Sequence, residues 1–186
     1  MLYVRNLKVE NMTAGCLTDK DAPVFSWEIE SDKPNTLMKN AQLTVDGYAV
    51  DTYSQTGTAY AGPPLKPFTE YTARVEVISN FNETATAEVT FSTGYRNGAW
   101  NAEWITDASY HFTKKKTSPR PMLFRKQFAL AKKAKRAVLY STALGIYELA
   151  LNGQKVGNDY FAPGFTSYKH QLQYQHYDVT NLLRDN

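Results

Sequence analysis

The residues able to do chemistry are few, and their spacing is uninformative. Glu103, Asp107, Glu148, Asp159 and Asp178 supply carboxylates, and His111, His170 and His176 are the three histidines. Splitting a glycosidic bond requires two carboxyl groups opposed across a cleft. Each of these five instead falls at a turn or at a solvent-facing strand position, and nothing in the sequence selects a pair. A metal ion asks for clustered His, Cys or carboxylate ligands. Only His170 and His176 share a segment, and no third ligand accompanies them. Cys16 is the one cysteine, and no histidine is placed to activate a serine. Gly145, Gly153, Gly157 and Gly164 sit at turns rather than in a strand-to-helix phosphate cradle. The sequence therefore assigns no catalytic residue, no cofactor site and no metal site.

A second set of residues suggests binding. "YELALNGQKVGNDYFAPGFTSY", Tyr147 to Tyr168, gathers Tyr147, Tyr160, Phe161, Phe165 and Tyr168 around one tight turn. Such rings either stack on a sugar or fill the inside of a sheet. Alternation sets Leu149 and Leu151 inward with Tyr147, and the Pro163-Gly164 turn is expected to fold Phe165 back as a plug. Packing is the preferred reading of the stretch. Trp104, Tyr147 and Tyr168 stay as candidate carbohydrate contacts.

The elements that would position these residues are strands. "LYVRNLKVE", "PVFSWEIES", "NAQLTVDG", "YTARVEVIS" and "TATAEVTFST" alternate with period two and are bounded by turn residues. Helical periodicity is confined to "VTNLL", one turn at most. In "LKPFTEYTARV" the spacing L-x-P-x-T-x-Y-x-x-x-V predicts a tyrosine corner, with the Tyr71 hydroxyl bonded to backbone between Leu65 and Phe68. Tyr71, Ala73, Val75 and Val77 would face the core with Trp27 between the sheets, and "SNFNET" would turn the last two strands into a hairpin. Residues 1–96 thus resemble a fibronectin type III module.

"GYRNGAWNAEW" marks a boundary at Gly94, Asn97 and Gly98. Beyond it, "DASYHFTKKKTSPRP" reads as an exposed loop, followed by strand candidates "MLFRKQFAL", "RAVLYSTAL", "IYELALNG", "QKVGN" and "QLQYQHYDV". Asn152-Gly153 between alternating strands signals a type I′ hairpin, because that turn needs positive φ at both central positions. The fold class is all-β: two tandem β-sandwiches, residues 1–96 fibronectin type III or immunoglobulin-like, and 97–186 an incomplete jelly-roll-like sandwich. Some five strands stand where a jelly roll uses eight. Asp185-Asn186 read as the start of a turn into another strand, so open strand edges and a homodimer through them are expected.

Composition narrows the partners. The 186 residues are 42% hydrophobic, enough for packed cores, and no apolar run approaches the ~20 residues of a membrane-spanning helix. The net charge is +3, gathered in Lys114-Lys115-Lys116 and in Lys132, Lys133, Lys135 and Arg136. That is too local for a nucleic-acid face and is read as solvated lysines. One cysteine and an N-terminus without an apolar leader core suggest a cytoplasmic setting.

The order of parts resembles a known family. "NLKVEN", "PVFSWEIESD", "GTAYAGPPLKPFTEYTARVEV" and "FSTG" before "WNAEWI" are similar to the start of bacterial α-L-rhamnosidases of glycoside hydrolase family 78. "FRKQFAL", "KRAVLYSTALGIYELALNGQKVG" and "FAPGFTSYKHQLQYQHYDVTNLL" resemble that family's N-terminal β-sandwich, with Phe165 where many relatives carry Trp. The resemblance implies the non-catalytic N-terminal modules of an enzyme that hydrolyses terminal α-L-rhamnosides, with a scaffold or substrate-positioning role toward a rhamnose-containing glycan. In that family the acidic catalytic residues lie in a later (α/α)6 barrel, so none transfers to this sequence. Calcium ligands found in some relatives have no match here. The alternative reading is a stand-alone carbohydrate-binding or interaction module.

Overall fold

The computed structural model describes residues 1–96, 100–108 and 121–184. The Asn97-Gly98 turn, His111, the Lys114-Lys115-Lys116 run and the Asp185-Asn186 turn lie outside the described residues. The chain is all-β and divides into two compact units, Met1–Trp104 and Ile105–Asn186.

The first unit contains eight strands: β1 (Leu2–Val9), β2 (Cys16–Thr18), β3 (Val24–Ser31), β4 (Met38–Val45), β5 (Tyr48–Thr52), β6 (Thr58–Ala59), β7 (Glu70–Ser79) and β8 (Thr84–Thr93). They form a three-stranded sheet, β1-β3-β6, and a five-stranded sheet, β2-β8-β7-β4-β5. Among the described residues only the β2–β8 pairing is parallel. Alternation along β7 buries Tyr71, Ala73, Val75 and Val77 and exposes Glu70, Thr72, Arg74 and Glu76. β3 and β8 do the same with Phe25, Trp27, Val89 and Phe91, and these rows meet as one core. Phe25 packs edge-on against Phe91 with ring centroids 5.8 Å apart, and Tyr71 stacks on Phe91 at 5.7 Å. Each such fully buried side chain contributes roughly 1.5–3 kcal/mol.

The tyrosine corner forms as its spacing requires. The Lys66 N–H donates to the Tyr71 hydroxyl at 2.7 Å, and the buried Thr93 hydroxyl donates to Lys66 O at 2.5 Å, clasping the same bend from the other side. Three strands escaped the sequence reading: β2, β5 and β6. The β4–β5 hairpin was nevertheless marked by Asp46-Gly47, whose φ values of 47° and 80° are those of the turn that Asp-Gly favours.

The second unit carries β9 (Val138–Ser141), β10 (Ala150–Leu151), β11 (Gln154–Lys155), β12 (Gln175–Asp178) and a 3-10 turn at Thr180–Leu182. β9 pairs antiparallel with β12, Val138 opposite Asp178 and Ser141 opposite Gln175. β10 and β11 form the predicted hairpin, with Asn152 at φ 53° and Gly153 at φ 83°. Two expectations fail here. "MLFRKQFAL" is not a strand: Leu123 is 97% exposed, and Phe124 and Phe128 also face solvent. Its alternation is sound, but a strand exists only against a partner ladder, and among the described residues none lies beside it. Phe165 is not a plug either, being 95% exposed.

Candidate functional site

The stretch from Tyr147 to Tyr168 folds as a hairpin followed by a loop tied to the β9–β12 sheet. Tyr147, Leu149 and Leu151 are half-buried, while Ile146, Glu148 and Ala150 are exposed, so the predicted inward face is the correct one. The hairpin closes through Val156 N–H to Leu149 O at 2.9 Å, and Tyr147 N–H reaches Ala162 O at 2.9 Å. Ala162 and Pro163 are buried. Gly157 lies so close to the Tyr177 ring that a Cβ there would come within 2.3 Å of it, which only glycine allows.

Polar groups complete the anchoring. The Tyr147 hydroxyl donates to Gln175 Oε1 at 2.8 Å, and Gln175 Nε2 donates to Pro163 O at 2.9 Å. Burial, followed by hydrogen bonding to Tyr147 and Asp159, holds the Tyr177 phenol well above its usual range. His176 stacks on Tyr140 at 6.1 Å, and burial together with the Arg136 charge pushes its imidazole down. Tyr147 is structural in its geometry, since its hydroxyl is engaged inward.

The outward side of the same loop is aromatic. Tyr160, Phe161 and Phe165 are 79%, 75% and 95% exposed, and Tyr168 is 41% exposed. Lys155 Nζ sits 4.6 Å from the centroid of the Tyr160 ring, and Phe165 and Tyr168 lie 6.4 Å apart with planes tilted by 57°. Among the three residues singled out as sugar contacts, Trp104 is 64% exposed but belongs to the first unit. Tyr147 faces inward, and Tyr168 lies on the aromatic side of the loop. The exposed rings of Tyr160, Phe161 and Phe165 were not identified from sequence as surface features. Two adjacent aromatics beside Asn158-Asp159, a polar turn, were the available signal.

The carboxylates are distributed as the sequence implied. Glu148 faces Lys155 at 3.8 Å, and Asp178 accepts from the Thr180 hydroxyl at 2.6 Å and its backbone N–H at 2.9 Å. Asp159, Glu103 and Asp107 are exposed. Among the described residues no group of three metal-ligating side chains comes together.

A two-sheet immunoglobulin-like unit followed by this hairpin and aromatic loop defines a class of N-terminal module. Residues 4–97, half of the chain, match the family of Rha78A-like N-terminal immunoglobulin domains, and residues 132–186 match the α-L-rhamnosidase N-terminal domain. The chain belongs to this family, as an N-terminal region of α-L-rhamnosidase-like proteins. It is 28% identical over 186 residues to an α-L-rhamnosidase of Formosa agariphila, covering 87% of this chain and 20% of that protein. A shorter match, 56% over 61 residues, covers 32% of this chain and 6% of an α-L-rhamnosidase of Streptomyces avermitilis. Among solved structures, the α-L-rhamnosidase of Dictyoglumus thermophilum aligns over 98% of this chain and 24% of its own, with TM-score 0.82 and 28% identity. The Aspergillus terreus enzyme shares the fold, with TM-score 0.73 at 23% identity over 99% of this chain and 22% of its own. The chain thus spans no more than about a quarter of these relatives.

Proposed function

We propose that this chain is the non-catalytic N-terminal part of an α-L-rhamnosidase acting on terminal α-L-rhamnosides, and that its role is to scaffold the catalytic part. The observation that carries this reading is the alignment of 98% of the chain, both units in order, onto 24% of a rhamnosidase. The chemistry of the residues agrees with it. Glu148 faces Lys155 and Asp178 accepts from Thr180, so both are occupied in local contacts. A scaffold needs an independently packed core, which the first unit has.

The test is the native gene product. Its mass should exceed that of the 186 residues several-fold, and the purified product should release nitrophenol from 4-nitrophenyl α-L-rhamnoside. A native product of this size that binds rhamnose-containing glycans on an array would instead establish the stand-alone binding module.

A further inference from the structure

We infer that Asn152 is a self-modification site, at which the Gly153 nitrogen displaces the side-chain amide as ammonia, and that contacts with Leu182 and Arg184 restrain the reaction. The site is the tip of the β10–β11 hairpin. Asn152 and Gly153 are both exposed, so water reaches them. A Cβ built on Gly153 would meet nothing within 4 Å, so the space beside the attacking nitrogen is open. Glycine resists ring closure least, because no side chain stands beside that nitrogen.

Loss of the Gly153 N–H proton lets the nitrogen form a bond to Asn152 Cγ. The Cγ–Nδ2 bond breaks, the proton departs with that nitrogen as ammonia, and a cyclic imide remains. Water then adds to either carbonyl carbon of the ring, giving aspartate or isoaspartate. Nothing is oxidised or reduced, and water is the sole co-reactant.

The fold opposes the first step. Asn152 Nδ2, the nitrogen that must leave, donates to Leu182 O at 2.8 Å, and Arg184 donates to Asn152 O at 2.9 Å. The segment after β12 thus grips the residue by side chain and main chain together. To meet the Gly153 nitrogen, the carboxamide must swing away from Leu182 O and give up that bond. The restraint is local. Ala150 opposite Lys155 and Leu151 opposite Gln154 are the whole β10–β11 ladder, and so short a pairing opens far more readily than the core of the first unit.

The products act on the same contacts. Aspartate still suits the turn but has no N–H to give Leu182 O. Isoaspartate carries the main chain through the former side-chain carbon, which lengthens the turn and disturbs the pairing of Leu151 with Gln154. Either product weakens the hold of the hairpin on residues 182–184.

Peptide mapping by mass spectrometry, on the 186-residue chain kept in mildly alkaline buffer, tests this. Asn152 should convert in the folded chain several-fold more slowly than in the same chain unfolded by urea. Arg184→Ala should raise the folded rate several-fold and leave the urea rate unchanged. Asn152→Asp, which installs one product from the start, should speed hydrogen exchange at Leu182 and Leu183, whose N–H groups bond Val179 O and Thr180 O. Equal rates in the folded and unfolded chains, or no response to Arg184→Ala, overturn the restraint. Unchanged exchange in Asn152→Asp overturns the hold on residues 182–184, and an Asn152 that stays intact in both folded proteins overturns the site.

Discussion

Tyr71 shows how one residue joins sequence spacing to stability. Its ring lies on Phe91 inside the core while its hydroxyl receives the Lys66 N–H, so the chain must bend at Pro67 for both to hold. Tyr71→Phe keeps the ring and leaves that amide without its partner. It should destabilise the first unit by about 0.5–1.5 kcal/mol, the net value of one hydrogen bond, in a urea melt followed by Trp27 fluorescence. An unchanged midpoint would remove the corner's energetic role.

Tyr177 makes a second residue-level prediction, through pH. Its folded-state pKa is raised, by burial first and then by its bonds to Tyr147 and Asp159, above the value near 10 of an unfolded tyrosine. The stability it contributes is therefore fully present below about pH 10 and declines as pH rises toward the folded value. The second unit should lose stability at alkaline pH, and Tyr177→Phe should weaken that dependence. Circular dichroism melts at pH 8 and pH 10.5 compare the two proteins, and parallel losses would refute the assignment.

At the scale of elements, the two units differ in how far their strands are partnered. In the first, β7 lies between β4 and β8, and Val75 and Val77 are wholly buried. In the second, the sheets β9–β12 and β10–β11 contain two strands each among the described residues, which pair no further strand with their backbone edges. A lone two-stranded sheet is marginal in water, and an open edge is a template for another chain. The second unit should therefore dimerise, exchange strands or aggregate in isolation, while the first stays folded. Light scattering over a concentration series checks this, and a strictly monomeric chain melting in one cooperative step would show the second unit to be self-sufficient.

The same contrast explains what could be read from the sequence. Strands β1, β3, β4, β7 and β8 were legible because each buries one face within the unit, which writes itself as period two. β2, β5 and β6 were not, since short edge pairings need little patterning. "MLFRKQFAL" carries the pattern without the partner, and Phe165 carries the hydrophobicity without the burial. In both cases the sequence states an affinity, and only the surrounding structure decides whether anything answers it. The aromatic candidates divided for the same reason, Tyr147 turning inward to Gln175 and Tyr168 remaining on the surface.

At the scale of the whole molecule, the question is where hydrolysis would occur. An α-L-rhamnoside requires one carboxyl group to protonate the leaving oxygen and another to activate water, some 6.5–9.5 Å apart when the configuration inverts. In this chain Asp178 is held below the usual carboxylate range by the Thr180 hydroxyl and amide, which does not suit the general-acid role. Glu148 faces Lys155 on an exposed hairpin. Glu148 and Asp178 thus act as local braces. The purified 186-residue chain should release nitrophenol from 4-nitrophenyl α-L-rhamnoside at the buffer rate, whatever the activity of a longer product. Turnover above that rate, abolished by replacing one of its own carboxylates with the amide, would place a catalytic site within these two units and refute the scaffold reading.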